Sequence, residues 1–164
     1  MPTRPPFIVS SADVPEKRHR YPRIDEDMSP SRAIGRAAGL MRIGVHLVRV
    51  APGTRTSLPH AESAEEEFVY VIEGEVDAWI DGDLHRLRAG DFVAFPAGTG
   101  ICHTFLNDGE RDALLLSGGE AAKAENRIVY PLDPGRRDDL PWSHWWDDAP
   151  RRARGTHDGK PRRR

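Results

Sequence analysis

Sulfur is scarce in this chain. Cys102 is the only cysteine among 164 residues, which excludes an intramolecular disulfide framework and a thiolate-rich zinc site. A reducing cytoplasm is the setting this predicts. Long apolar runs are also missing: the opening Met1-Pro2-Thr3-Arg4-Pro5-Pro6 has no apolar core of a secretory signal, and no later stretch is long enough to cross a bilayer. A soluble, internal protein without a membrane partner is expected. Nor does one sign of charge dominate. Lys plus Arg number 24 against 26 Asp plus Glu, and a net charge of -2 gives no general drive toward nucleic acid or anionic lipid.

What is present falls into three stretches. Residues 1–38 mix Pro2, Pro5, Pro6, Pro15, Pro22 and Pro30 with charges and hold no apolar period, which predicts an extended arm lying over a barrel. Residues 39–119 carry the folded core. Met41, Ile43, Val45 and Leu47 alternate with Arg42, Gly44, His46 and Val48, the pattern of a strand with one buried face. Further short strands are predicted at Phe68 to Ile72, Val76 to Ile80, Leu84 to Leu87, Phe92 to Phe95, His103 to Leu106 and Leu114 to Leu116. Turns at Pro52-Gly53, Asp81-Gly82, Gly90-Asp91 and Asn107-Asp108-Gly109 separate them. Strands at such near-regular spacing imply an all-β sandwich or barrel. In residues 120–164, Ala121, Ala122 and Ala124 predict a short helix from Glu120 to Asn126. The rest reads as an extension partly packed on the barrel through Trp142, Trp145 and Trp146, ending in the flexible, basic Lys160-Pro161-Arg162-Arg163-Arg164.

His60 and Glu62 stand two positions apart, which on a strand puts both side chains on one face. Glu67 opens the next predicted strand and His103 opens another after a glycine-rich loop, so a closed barrel can gather all four at one end of its interior. Imidazole with carboxylate suits Zn, Fe, Mn or Ni. Spacing alone favours the plainer reading, in which His60 and Glu62 lie in an acidic surface loop and His103 is a satisfied core histidine.

A family resemblance decides between these readings. Gly53, His60, Glu62, Glu67 and Gly74 resemble the first motif of the cupin superfamily: a glycine, His-x-His, a glutamate, then six residues and a glycine. The stretch Gly90 to Gly98 with Pro96, followed by His103 and Asn107, resembles the second. The resemblance covers about Leu40 to Ser117 and implies a cupin-2 type double-stranded β-helix, with His60, Glu67 and His103 as ligands of a divalent metal inside the barrel. Three departures stand out: Glu62 occupies the place of the second motif histidine, one extra residue separates Gly53 from His60, and the loop Thr99-Gly100-Ile101-Cys102 is longer than the family pattern. The predicted ligand set is therefore two imidazoles and two carboxylates, His60, Glu62, Glu67 and His103.

Other residues carry weaker signals. Cys102 precedes His103 directly, and adjacent strand residues face opposite ways, so a buried inert thiol is predicted rather than a nucleophile. His46 and Arg49 are candidates to hold an anionic substrate at the barrel mouth. Tyr70, Trp79, Phe92, Phe95 and Phe105 are expected to fill the core. Arg151, Arg152 and the terminal arginines are diluted by Asp147, Asp148 and Asp158, so no nucleic-acid surface is predicted. No helix-turn-helix segment accompanies the barrel. The resulting expectation is a metal-binding cupin acting on a small oxygenated molecule, a carboxylic acid or a sugar derivative, with oxygenase, decarboxylase, isomerase and lyase chemistries all open. The alternative is a metal-free cupin that binds a small ligand as sensor or carrier. A homodimer is expected in either case.

Overall fold

The computed structural model describes residues 3–121 and 123–162. Among the described residues are ten strands and one short α-helix: β1 Ser31–Arg32, α1 Ile34–Ala37, β2 Ile43–Val50, β3 Ala61–Glu62, β4 Glu67–Glu73, β5 Glu75–Ile80, β6 Asp83–Arg88, β7 Phe92–Phe95, β8 His103–Leu106, β9 Ala113–Glu120 and β10 Ile128–Val129. Three antiparallel sheets result, in the orders β1-β2-β9-β4-β7, β6-β5-β8 and β10-β3. The architecture is the all-β, double-stranded β-helix that the strand spacing and the motifs predicted. No helix of the described residues is long and apolar enough to cross a membrane.

The two larger sheets face each other across a core in which Val48, Val50, Val69, Val71 and Leu115 of the first meet Val76, Ala78 and Phe105 of the second. The passage from β4 to β5 depends on Gly74. Its φ is +79°, and a Cβ there would sit 2.7 Å from the carbonyl oxygen of Asp112, so the sharp turn requires a residue without a side chain.

Two expectations need correction. The apolar alternation in β2 suggested Ile43, Val45 and Leu47 as its buried face, yet the side turned into the barrel carries Gly44, His46, Val48 and Val50, and Ile43 is half exposed. Val45 is instead covered from outside by α1, where Gly35 lies close against it. The inward face is polar at one end because it lines a cavity, so hydrophobicity marks the wrong side. The predicted helix at Glu120 to Asn126 is also absent. The strand β9 runs to Glu120 in register with Ile43, and a turn follows at Ala124 and Glu125, because sheet pairing overrides the local alanine preference. Ala122, within that stretch, lies outside the described residues.

The segments before and after the barrel wrap it. Arg55 is buried and joins all three parts: it makes a bidentate ion pair with Glu26 at 2.9 and 2.6 Å and donates to the Gly159 carbonyl at 2.8 Å. Met28 from the arm packs with Leu58, Tyr130 and Trp145. The outer side of the β5-β8 sheet holds Trp79, Cys102 and Leu106 under Trp146, and the Trp79 indole donates to the His157 carbonyl at 2.8 Å. Trp142, by contrast, is exposed. Of the basic end, Arg163 and Arg164 lie outside the described residues.

Candidate metal centre

His60 and His103 are direct partners across an antiparallel bridge. The amide of His60 donates to the His103 carbonyl at 3.2 Å, and that of His103 to the His60 carbonyl at 2.9 Å. Residues paired in this way share a face, so their rings lie 5.0 Å apart on the interior side. Glu67 enters from the facing sheet as the first residue of β4, on the same side as Val69 and Val71. Its Oε2 lies 3.2 Å from His103 Nε2 and 3.6 Å from His60 Nε2. Gly119 stands opposite Glu67 in the register, and any side chain there would collide with the backbone of Glu66.

These three donors form a group whose ligand atoms all lie within 4.8 Å of one another. The orientation of the rings decides whether such a group suits a metal. His60 Nδ1 is 2.8 Å from the Leu58 carbonyl and His103 Nδ1 is 3.4 Å from that of Ile101. Each Nδ1 therefore faces a carbonyl that accepts its proton, and each Nε2 faces the Glu67 carboxylate, where it can bind a metal once its own proton is gone, the arrangement typical of imidazoles that ligate metals. Phe95 stacks flat on the His103 ring, with centroids 3.5 Å apart, so His103 has little rotational freedom. The donor chemistry and its orientation fit a divalent ion.

Glu62, the fourth predicted ligand, stands apart from this group. Its Oε2 accepts a hydrogen bond from Asn126 Nδ2 at 2.6 Å, and Asn126 is itself held by the Ala64 amide at 3.0 Å. Nothing in the sequence connected Glu62 with Asn126, which lies 64 positions downstream.

The protonation pattern follows from the geometry. Burial works against a charged His60, but hydrogen bonding to Glu67 and the charges of Glu67 and Glu62 more than offset it, and the His60 pKa is pushed up to about 9. Burial opposes ionisation of Glu67 as well, yet bonds from His103 and His60 hold its carboxyl well below the usual range. His103 is shifted down, first by burial and also by the positive charge of His60. Without a metal, then, one proton resides on His60 facing an ionised Glu67. Glu62 is pushed up to about 7 by burial and by repulsion from Glu67. Cys102 is buried on the opposite face, and burial together with Asp81 pushes its thiol up to about 12, so it is inert as predicted.

The triad borders a cavity of about 350 Å³. Phe95 and Phe105 line it beside His103, and His46 lines it from β2. Arg49, the companion candidate, is exposed and pairs with Asp112 at 3.3 Å. Trp79 fills the outer cluster, while Tyr70 and Phe92 face outward and are partly exposed, against the expectation that they fill the core. His19, Tyr21, Ser29 and Ser31 of the N-terminal arm also line the cavity. The arm has no periodicity to identify such residues, and only the fold brings them to the site.

Comparison with known proteins agrees with this picture. The family model described as "Cupin domain" matches residues 46–118. The chain is 35% identical over 109 residues to protein SchB of Streptomyces halstedii, covering 66% of this chain and 73% of that protein. It is 29% identical over 111 residues to polyketide synthase CurC of Streptomyces cyaneus, covering 68% and 67% respectively. A crystal structure of a sugar phosphate isomerase of the cupin superfamily from Silicibacter pomeroyi superimposes with a TM-score of 0.67 at 30% identity, over 75% of this chain and 80% of that one.

Proposed function

The chain belongs to the cupin family, and on that premise we propose that it is a metal-dependent cupin acting on a small, unphosphorylated oxygenated molecule. The observation that carries this reading is the convergence of His60 Nε2, His103 Nε2 and Glu67 Oε2 at the wall of the cavity, with both Nδ1 atoms engaged by carbonyls. In this proposal His60, Glu67 and His103 hold the ion, and Glu62, one of whose oxygens is held by Asn126, is the candidate fourth ligand. A divalent ion at this position supplies Lewis acidity to a bound oxygen.

The residues around it would do the rest. Phe95 fixes the His103 ring and keeps bulk water from that side of the triad. Glu62, held by Asn126 beside the ligands, is a carboxyl that can take up or give a proton there. The lining of the cavity narrows the substrate. The Silicibacter relative bears the name of a sugar phosphate isomerase and the Streptomyces cyaneus relative that of a polyketide synthase. No lysine or arginine is among the described residues that line this cavity, so a phosphate group would find no ammonium or guanidinium to hold it beside the ion. An uncharged hydroxyl- or carbonyl-bearing substrate fits better.

The same proposal places the protein in the cytoplasm as a homodimer. Its outer sheet face exposes Tyr70, Ile72 and Phe92, an apolar patch of the kind that a second copy covers.

Elemental analysis of protein purified without a metal-affinity tag tests the reading. Near-stoichiometric Fe, Mn, Ni or Zn is expected, with affinity falling more than about 100-fold in His103→Ala, since loss of an outer-shell partner alone costs 10- to 100-fold. Circular dichroism confirms that the variant is folded. Absence of metal together with no uptake of any of the four ions defeats the proposal and leaves a metal-free ligand-binding barrel.

A further inference from the structure

The cavity has a second polar side that the metal triad does not use. The pairing register places the inward residues of β2, β9 and β4 in rows: Gly44, Gly119 and Glu67 form one, and His46, Ser117 and Val69 the next. Ser31 of β1 pairs with Val48, immediately deeper on the same face. His46, Ser117 and Ser31 all line the cavity. Among the described residues, none of the His46 ring nitrogens or the Ser31 and Ser117 hydroxyls has a hydrogen-bond partner in the protein. Other hydroxyls at the cavity are engaged: Ser29 with Thr54 at 3.0 Å, Ser57 with Thr104 at 3.3 Å.

These three polar side chains on one wall turn donors and acceptors toward the cavity, where a ligand can engage them. Burial shifts the His46 pKa down, so its imidazole is neutral near pH 7 and offers one donor and one acceptor. Gly44 and Gly119 leave room for the two flanking side chains: a Cβ at Gly44 would stand 3.5 Å from His46 Nε2, and one at Gly119 3.2 Å from Glu67 Cγ. At the usual spacings, His46 and Glu67 are two strands across and two residues along the sheet from each other, roughly 12 Å at the backbone. Val48, Val69, Leu115 and Phe105 supply the apolar surface of the cavity.

We infer that His46, Ser117 and Ser31 form a second recognition pole that binds the far end of the ligand. The ligand class is then a compact molecule with one oxygen function for the triad and a second hydrogen-bonding oxygen across an apolar middle. The inference deepens the metal-dependent reading and rests on it for the role of the first pole. His46 is a positioning and specificity residue in this scheme, contacting the ligand away from the ion.

Calorimetric titration with two probes tests it: 4-nitrocatechol, which has paired oxygens at one end and a nitro group at the other, and catechol, which lacks the far oxygens. Both are titrated into metal-loaded and EDTA-treated protein, as wild type, His46→Leu, His46→Gln and Ser117→Ala. The ratio of the catechol Kd to the 4-nitrocatechol Kd reports the far contact alone. It is expected to fall about 5- to 10-fold in His46→Leu, the equivalent of one hydrogen bond, less in Ser117→Ala, and to recover in His46→Gln. A ratio that stays within about twofold of wild type in both His46→Leu and Ser117→Ala, or no binding of 4-nitrocatechol to either state of the wild type, overturns the inference. Metal content is measured on the same samples. Protein without metal whose ratio still depends on His46 fails the metal reading and keeps the second pole, whereas metal-loaded protein with an unchanged ratio does the reverse.

Discussion

The two ends of the barrel interior are made from the same three strands and behave as different materials. At the closed end, Val50, Val71 and Ala113 are fully buried among apolar neighbours. Two rows further along β2 and β9 the inward positions become His46 and Ser117, and one row beyond that Glu67 faces Gly44 and Gly119. Moving from Val50 to His46, four residues or about 13 Å along β2, replaces close packing by a polar cavity. Stability and chemistry are thus separated by register within each strand, and a substitution in one row should leave the other property almost untouched.

Leu115 is the sharpest place to try to break that division, since it is fully buried yet also borders the cavity. Leu115→Ala is expected to cost about 2–5 kcal/mol of stability, the usual range for this truncation in a core, while metal content stays at the wild-type level. Chemical denaturation and elemental analysis on the same preparation check it. If metal is lost along with stability in a variant that is still folded, the two ends are one cooperative unit and the division by rows is wrong.

The closed end was also the more legible of the two in the sequence. Val69 and Val71, Val76 and Ala78, and Phe105 sit in short alternating runs bounded by glycine turns, and those runs became β4, β5 and β8. The open end was visible only through His60, Glu67 and His103 and the spacing of the two motifs. Hydrophobic period pointed the wrong way in β2, because a strand that lines a polar cavity has its apolar side under α1. The arm was harder still. Tyr21 and Ser31 reach the cavity, and Glu26 the buried Arg55, as single residues in an aperiodic stretch. Such contacts join positions far apart in the chain and leave no local signal. The Glu62–Asn126 bond escaped for the same reason.

Acid should act on the open end alone. His60, with its pKa pushed up to about 9 by the Glu67 carboxylate, is protonated at neutral pH, and a metal must displace that proton to reach Nε2. Apparent metal affinity is therefore expected to rise about tenfold per pH unit from about pH 7 to 9, where a single proton is exchanged. Competition with a chelator of known pH dependence measures the slope, and calorimetry in buffers of different ionisation heat counts about one proton released near pH 7.5. A flat affinity profile across that window would remove the His60–Glu67 pair from the metal site. Among the described residues, the apolar cluster around Leu115 contains no titratable group, so the stability lost in Leu115→Ala should be the same at pH 6.5 and pH 8.5.

The smallest effect concerns Glu62, where the two ends of the comparison meet in one residue: a carboxylate partly buried for the sake of the site and costly to the fold. Its pKa in the folded protein is raised from the ordinary 4.5 to about 7. The stability associated with its protonated form is thus fully present below pH 4.5 and is lost as pH rises through 7. Glu62→Gln keeps an oxygen to accept the Asn126 hydrogen bond and removes the charge. In EDTA-treated protein above pH 7 the variant should be more stable than the wild type, on the order of 1 kcal/mol after allowance for solvent screening, or about 2–4 °C in Tm for a chain of this size. The gain should vanish by about pH 4.5, where both side chains are neutral. Thermal melts at pH 4.5, 6 and 8 give the profile, and elemental analysis of the same variant before metal removal tells whether Glu62 also holds the ion. Undiminished metal content identifies His60, Glu67 and His103 as the full protein ligand set. A large loss shows that Glu62 is the fourth ligand, in which case the charge that weakens the empty barrel is the one that secures its metal.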